Sequence, residues 1–330
     1  MIYLHGIGHF HPENVITNQF LESLDIGTTE EWILERVGIE TRRTVLPLDY
    51  IRNTRNADPR ATDEERLYSN AQMGALAARM AIERAGIQAE DIGLVISGSS
   101  LPQYVTPAEA ATVACELGID VPCFDVNSAC STFGVQIHTL SMMQPEKLPP
   151  YVLVLNIEAV TPSIDFSDRN AAVLFGDGCS ATVVSATVPS PKSFTDSAMD
   201  SKPSMWGKAI VPRWSYFSQD GGAVQGFAIR KTTDGLRSIK ATLPADTGRL
   251  FFIGHQANLG VLRTACERSG VDEQSHWHNV TAYGNTGSAG APSVLSQHWE
   301  ELQPGDDVAM ALVGAGLTWT QMLLRVHGKG

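Results

Sequence analysis

The spacing of apolar residues along the chain switches repeatedly between a helical and a strand period. From Asn70 to Ala85, small and apolar residues recur at helical spacing (Ala71, Gly74, Ala78, Met80, Ala81), and the run Asp91-Ile-Gly-Leu-Val-Ile-Ser that follows reads as a strand. Pro107 to Leu117 is a second small-residue helix. Pro122 to Val126 is a short apolar run; small residues follow, then a helical pattern of Phe133, Ile137 and Leu140 with Met142 and Met143. Tyr151-Val-Leu-Val-Leu-Asn, Phe251-Phe-Ile-Gly and Val280-Thr-Ala-Tyr read as further strands, and Met1-Ile-Tyr-Leu-His opens the chain in the same way. Alternation of this kind predicts an α/β fold of parallel sheets with helices packed on them. Between Ser185 and Trp206 the composition shifts to Pro, Ser, Lys and Asp, which predicts a link between two halves, residues 1–185 and 186–330.

The bulk properties narrow the function classes. A chain of 330 residues, 43% of them hydrophobic, buries one large core or two. A net charge of −12 argues against nucleic acid as a partner. The apolar runs are too short to span a bilayer, and no basic region precedes the first one, so a cytoplasmic protein without a membrane partner is expected. The five cysteines (Cys115, Cys123, Cys130, Cys179 and Cys266) form no C-x-x-C pair, which fits reduced thiols. His276-Trp-His278 is a metal half-site without cysteine or carboxylate partners in register, so no metal is expected there.

Candidate chemistry collects at three strand ends. Cys130 follows the run Pro122 to Val126 and precedes a helical pattern, so it is read as a thiol carried on the first turn of a helix. Free N–H groups and the dipole at such a terminus favour thiolate, although a small buried hydrophobe fits the segment as well. His255 follows Phe251-Phe-Ile-Gly, and Asn285 follows Val280-Thr-Ala-Tyr-Gly. Taken singly, the histidine is a hydrogen-bonded structural residue and the asparagine a turn residue. Together, Cys130, His255 and Asn285 form the kind of set that acyl transfer on a thiol requires.

Five ordered segments give the chain a family likeness: Thr29-Glu-Glu-Trp32-Ile-Leu-Glu-Arg36-Val-Gly38-Ile-Glu-Thr-Arg42-Arg43, the Cys130 elbow with Leu174-Phe-Gly176-Asp177-Gly178, Gly254-His255-Gln-Ala-Asn258, Tyr283-Gly-Asn285-Thr and Gly314-Ala-Gly316-Leu-Thr-Trp319. In these the sequence resembles the β-ketoacyl-acyl-carrier-protein synthase III family of the thiolase superfamily, over nearly its whole length. The resemblance implies a thiolase-like five-layered αβαβα fold made of two similar βαβαβαββ halves. It also implies a homodimeric acyltransferase that uses acyl-CoA or acyl carrier protein thioesters and no metal or redox cofactor. Cys130 is then acylated, and a malonyl-type or β-keto thioester extender condenses with the acyl group by decarboxylative Claisen chemistry. Backbone N–H groups of Cys130 and Ala315 are expected to form the oxyanion hole, and His255 and Asn285 to hold the enolate.

The resemblance further casts Trp32 as a stacking partner for the CoA adenine, and Thr106, Tyr104 and Asn258 as substrate-binding residues. Thr106 stands where the family commonly has a bulky aromatic, which predicts a deeper tunnel and a primer longer than acetyl, unless Tyr104 fills the space. The stretch 47–66 is longer than usual in the family and is expected to be a loop, either a cap on the entrance or a solvated insertion. The family's arginine after His-Gln-Ala-Asn is absent, and Lys208, Arg213, Arg230, Lys231, Arg237, Lys240 and Arg249 are the alternative docking surface for an acidic carrier. These departures point to a specialised secondary-metabolic or lipid pathway. Two alternatives stand: acyl transfer from Cys130 to a hydroxyl or amine, and non-decarboxylative Claisen condensation, for which Glu109 is the nearest carboxylate. An inactive partner subunit is disfavoured because all three polar residues are present.

Overall fold

The computed structural model describes residues 1–328 apart from Trp214, Pro244 and Asp246. Nine strands form its main sheet: β1 (Ile2–Phe10), β2 (Ile92–Gly98), β3 (Cys123–Asp125), β4 (Tyr151–Glu158), β5 (Gly178–Ser185), β6 (Lys192–Ser201), β7 (Leu250–Gly254), β8 (Asp307–Gly314) and β9 (Thr318–Val326). Their spatial order is β7-β8-β9-β6-β1-β5-β4-β2-β3. Six helices matter for the site: α1 (Asn70–Ala85), α2 (Glu109–Leu117), α3 (Thr132–Met142), α4 (Gly221–Ala241), α5 (Leu259–Ser269) and α6 (Gly290–Gln297).

Strand pairing reveals a repeat that the residues do not. In the first half β3, β2 and β4 run parallel, then β5 and β1 pair antiparallel. In the second half β7 and β8 run parallel, then β9 and β6 pair antiparallel. A parallel bridge of Phe252 with His276 stands where β3 stands in the first half. The halves meet where β1 pairs with β6, Ile2 opposite Phe194. Each half therefore runs βαβαβαββ, with α1, α2 and α3 matched by α4, α5 and α6.

The helices form three layers. Helix α1 lies on β1, β4 and β5, and α2 on β2 and β3; α4 covers β8 and β9, with α5 beside it. Helices α3 and α6 lie between, touching strands of both halves. That inner layer explains their composition. Every residue of α6 from Gly290 to Ser296 is buried, so neither side offers a polar face to water. One apolar cluster there joins Ile2, Ile7, Ile96 and Phe133 to Ile253, Val294, Met310 and Met322. At about 25 cal/mol per Å² of apolar surface removed from water, such shared burial is the main force holding the halves together.

Three expected elements come out differently. The Pro/Ser/Lys/Asp region holds strand β6, paired on both sides. Its outer residues are mostly exposed, so it lacks the apolar run that marks a buried strand. Val280–Tyr283 is a short helix and not a strand; its N–H groups turn back onto Asn279, with Tyr283 N donating to Asn279 O at 3.1 Å. The 47–66 stretch is not an open loop. It forms helical segments Leu48–Thr54 and Thr62–Glu65, buries Ile51, and sends Asn56 Nδ2 to the carbonyls of Pro162 and Ile164 at 2.8 and 2.9 Å. Among the described residues, no helix is long and apolar enough to cross a membrane.

Candidate active site

Cys130 sits on a tight 3₁₀ turn, Ala129–Ser131, between β3 and α3. The turn is held by its own side chains: Asn127 Oδ1 accepts from Ala129 N, and Ser128 N donates to Thr132 Oγ1, both at 2.8 Å. Ala129 has φ +47°, a left-handed conformation that costs a non-glycine residue free energy and points the next side chain out of the chain path. The geometry is that of a nucleophile elbow.

Burial works against the expected thiolate. Burial pushes the Cys130 thiol up to about 12, and the charge of Glu158 acts in the same direction. Cys130 directly precedes the N-cap of α3, Ser131, where the helix terminus acts in the opposite direction and favours the thiolate.

His255 follows β7, where its N–H donates to Ala311 O at 3.1 Å. Its ring is buried, and burial lowers its pKa to about 4, so it is neutral at pH 7 and offers one N–H and one lone pair. The next residue ties this loop to the second site loop: buried Gln256 accepts from the N–H groups of Asn279 and Val280 at 3.0 and 3.2 Å. Asn285, also buried, pairs its backbone with the segment ahead of Gly176, donating to Leu174 O at 2.9 Å. Its Oδ1 accepts Gly287 N–H at 3.0 Å, which leaves Nδ2 as the donor end of the amide. That segment is itself pinned by fully buried Arg42, whose guanidinium donates to Val173 O and to Asn18 Oδ1. Asp177 adds a fixed corner by accepting from Val45, Val160 and Thr161.

The fold brings the three loops together. The elbow turn Ala129–Ser131 touches the turn Gly287–Ala289 beyond Asn285 and the strand β8, whose Ala311 anchors His255. The glycine turn after β8 presses on the elbow. A Cβ at Gly314 would lie 2.6 Å from Ser128 O and 2.7 Å from Ser131 N, so no larger residue fits without moving the nucleophile. Ala315 follows Gly314 at this contact.

The remaining expected residues lie farther out or are occupied. Asn258 Oδ1 caps α5 by accepting Val261 N–H at 2.9 Å, a structural task. Thr106 and Tyr104 are exposed, Tyr104 by 53% and the intervening Val105 by 73%, so Tyr104 fills no space inside its own chain. Trp32 is partly buried on the helix Glu30–Val37 with the Arg169 guanidinium 4.9 Å from its ring centroid. Arg169 was missed in the sequence because it is 137 positions away, and only the fold places it on the ring. Glu109 is buried, held by Asn70 and Gln103 N–H, and burial raises it to about 7. The basic segment does not form one free face. Lys208 and Arg249 pair with Asp220 and Asp306, while Arg237 and Lys240 bond the carbonyls that end α5. His276 and His278 lie in the bridge segment beside β7, and no group of three potential metal ligands occurs among the described residues.

Comparison with known proteins agrees over the whole chain. Residues 124–203 match the family model for 3-oxoacyl-(acyl-carrier-protein) synthase III, and residues 249–326 match that for its C-terminal part. The β-ketoacyl-(acyl-carrier-protein) synthase III of a Sulfurovum species is 30% identical, the match covering 98% of this chain and 95% of that one. The crystal structure of the Aquifex aeolicus 3-oxoacyl-(acyl-carrier-protein) synthase III superposes with TM-score 0.84 at 26% identity, covering 98% of this chain and 100% of that one. A priming β-ketosynthase of a polyketide biosynthetic pathway gives TM-score 0.81 at 27% identity, covering 100% and 97%. The chain belongs to the β-ketoacyl-(acyl-carrier-protein) synthase III family of thiolase-fold condensing enzymes.

Proposed function

We propose that this protein joins an acyl group to a malonyl-type extender in two half-reactions on Cys130. In the first, the sulfur attacks an acyl-CoA or acyl-carrier thioester. The S–acyl bond forms, the donor's C–S bond breaks, and the thiol proton leaves on the departing sulfur. The tetrahedral oxyanion is met by the N–H groups of Cys130 and Ala315, since the glycine turn and the elbow are in contact. In the second, the extender loses CO₂, and its enolate carbon attacks the acyl-cysteine.

One observation carries the reading: Asn285 is anchored through Oδ1 so that Nδ2 is left as its donor end, and Gln256 ties the segment leading to it to the loop of His255, a histidine kept neutral by burial. Two neutral donors stabilise an enolate oxygen without tying it up as a salt. A charged base in either place would suit proton abstraction better. Side chains and backbone groups serve every step, so the scheme calls on no metal or redox cofactor. Trp32 under Arg169 is the proposed contact for the donor's adenine ring. The edge strand β3, with Phe124 exposed, and the exposed Val105 support a homodimer joined along this side. We place the enzyme in the cytoplasm, consistent with five free thiols, and assign it to a specialised pathway.

Intact-protein mass spectrometry after mixing with acyl-CoAs from acetyl to twelve carbons tests this, with Cys130→Ala as control. The expected result is an adduct confined to Cys130, longer than acetyl, and discharged by malonyl thioester with release of CO₂. An adduct discharged only by a hydroxyl or amine acceptor would favour simple acyl transfer. Absence of an adduct with both CoA and carrier-bound donors overturns Cys130 as nucleophile.

A further inference from the structure

Glu158, the last residue of β4, is a fully buried carboxyl group. It accepts four hydrogen bonds. Ser100 N–H reaches Oε2 at 3.1 Å and Ser100 Oγ reaches Oε1 at 3.0 Å. Ser288 N–H and Oγ both reach Oε1, at 3.1 and 2.6 Å. Ser100 belongs to the loop after β2. Ser288 belongs to the turn that touches the Cys130 elbow and follows Asn285. The approach is so close that a Cβ on Gly287, which has φ +54°, would lie 2.7 Å from Glu158 Cδ. Two of the donors are backbone N–H groups that cannot accept a proton in return. Burial raises the Glu158 carboxyl above the usual carboxylate range, and the donors on both oxygens act against that, favouring the ionised form.

We propose that Glu158 is a positioning residue for Cys130: a buried carboxylate that clamps the Ser100 loop to the Ser288 turn and sets a fixed negative charge beside the nucleophile. The proposal rests on Cys130 as the acylated residue. It gives the first half-reaction a defined electrostatic course. Free thiol and loaded thioester are both uncharged, so neither resting state is opposed by Glu158. Thiolate is opposed, and it forms only as the donor's carbonyl accepts the sulfur and the proton passes to the leaving thiol. An idle thiolate open to oxidants and stray electrophiles is thereby suppressed. The other titratable groups nearby do not reverse the sign: His255 is neutral, Cys179 is a buried thiol, and Glu109, with Asp125 beside it, adds negative charge or none.

The test is the pH dependence of Cys130 alkylation by iodoacetamide, read at the peptide level so that Cys115 and Cys123 are counted apart. In wild type the rate is expected to climb still at the alkaline end of the stable range. In Glu158→Gln the midpoint is expected to fall by at least one pH unit, so that alkylation at pH 7.5 rises about tenfold. An unchanged profile overturns the proposal. Should Glu158→Gln fail to fold, Glu158→Asp keeps the charge and shortens the clamp. A wild-type pH profile with acylation at least tenfold slower then supports the proposal; a shifted profile or unslowed acylation overturns it. Alkylation requires no acyl donor, so these outcomes are separate from the appearance of the acyl adduct that tests the nucleophile itself.

Discussion

The two halves share one chain path yet place opposite chemistry at matching positions. Cys130 and Asn285 occupy the same point in the repeat, after the third strand position and before the inner helix. The Ser100 loop after β2 corresponds to the His255 loop after β7, and Glu158 at the end of β4 corresponds to Gly314 at the end of β8. The first half supplies a nucleophile, hydroxyls and a buried carboxylate. The second supplies neutral donors and the small-residue turn Gly314-Ala315-Gly316. A nucleophile must be restrained until its substrate arrives, whereas an enolate needs donors and open backbone. In the proposed scheme the first half holds the nucleophile and the second holds the enolate donors and one oxyanion donor, so a repeated fold has diverged in the few residues at its strand ends.

The strongest way to break this division is to put charge in the second half. Asn285→Asp replaces a donor with an anion at the enolate, and condensation is expected to fall by about 10²–10³ or more. Acylation of Cys130 should stay within a few-fold, because Asn285 serves the second step. Stopped-flow decarboxylation of malonyl thioester, read beside adduct formation by mass, separates the two. Equal loss of both steps would show that the halves do not divide the work as described.

Gly314→Ala tests the contact between halves. Its new methyl group meets backbone at Ser128 and Ser131, which cannot rotate away. The elbow must shift, and a displacement of about 1 Å at a nucleophile typically costs about 10² in rate. Here acylation should suffer first, since the turn also carries the Ala315 donor. A wild-type acylation rate would remove Ala315 from the oxyanion hole.

Acid unfolding asks whether the halves stand or fall together. Each carries three histidines that burial lowers from an ordinary 6.5: His5, His9 and His11 in the first, the latter two to about 4 and 3, and His255, His276 and His278 in the second, the first two each to about 4. With folded pKa values below the unfolded one, the unfolded chain takes up protons first as pH falls. Stability present above pH 6.5 is therefore lost between about 6.5 and 4, by about 1.4 kcal/mol per pH unit for each of the four lowered that far. The inner apolar cluster draws on both halves, so denaturant melts at pH 7.5 and 5 should show one transition with a lower midpoint at pH 5. Two transitions would mean that the halves are separate cooperative units.

Much of this arrangement was legible in the sequence, and the parts that were not have physical causes. Cys130, His255 and Asn285 were readable because each is a polar residue beside an apolar run or a small-residue turn. The strand β6 was hidden because it is covered on too little of its surface to need an apolar pattern. Val280–Tyr283 misled because a short apolar stretch has the same composition whether it forms one helical turn or a buried strand. Glu158 and Arg169 gave no local signal, since their partners Ser288 and Trp32 are 130 and 137 positions away. The dipole of a following helix is visible in sequence, whereas the burial that pushes the Cys130 thiol up, and the charge of Glu158 that adds to it, are not.

Asn258 provides the smallest and most discriminating test of what a motif residue does. It stands in the same four-residue segment as His255, which suggests substrate contact, yet its Oδ1 accepts the N–H of Val261 at the start of α5. That bond satisfies one of the donors left open at a helix N-terminus. Asn258→Ala should cost about 1 kcal/mol of stability, and Asn258→Asp, which keeps the acceptor, close to nothing. Acylation and condensation should stay within about twofold in both variants, because α5 is held mainly by its buried Leu262, Ala265 and Cys266 and the histidine loop is fixed independently through Gln256. Chemical denaturation with paired KM measurements reads both effects. If KM for the acyl donor rose tenfold in Asn258→Ala and not in Asn258→Asp, the side-chain oxygen would be binding substrate as well as capping the helix. The second half would then contribute to donor recognition in addition to stabilising the enolate.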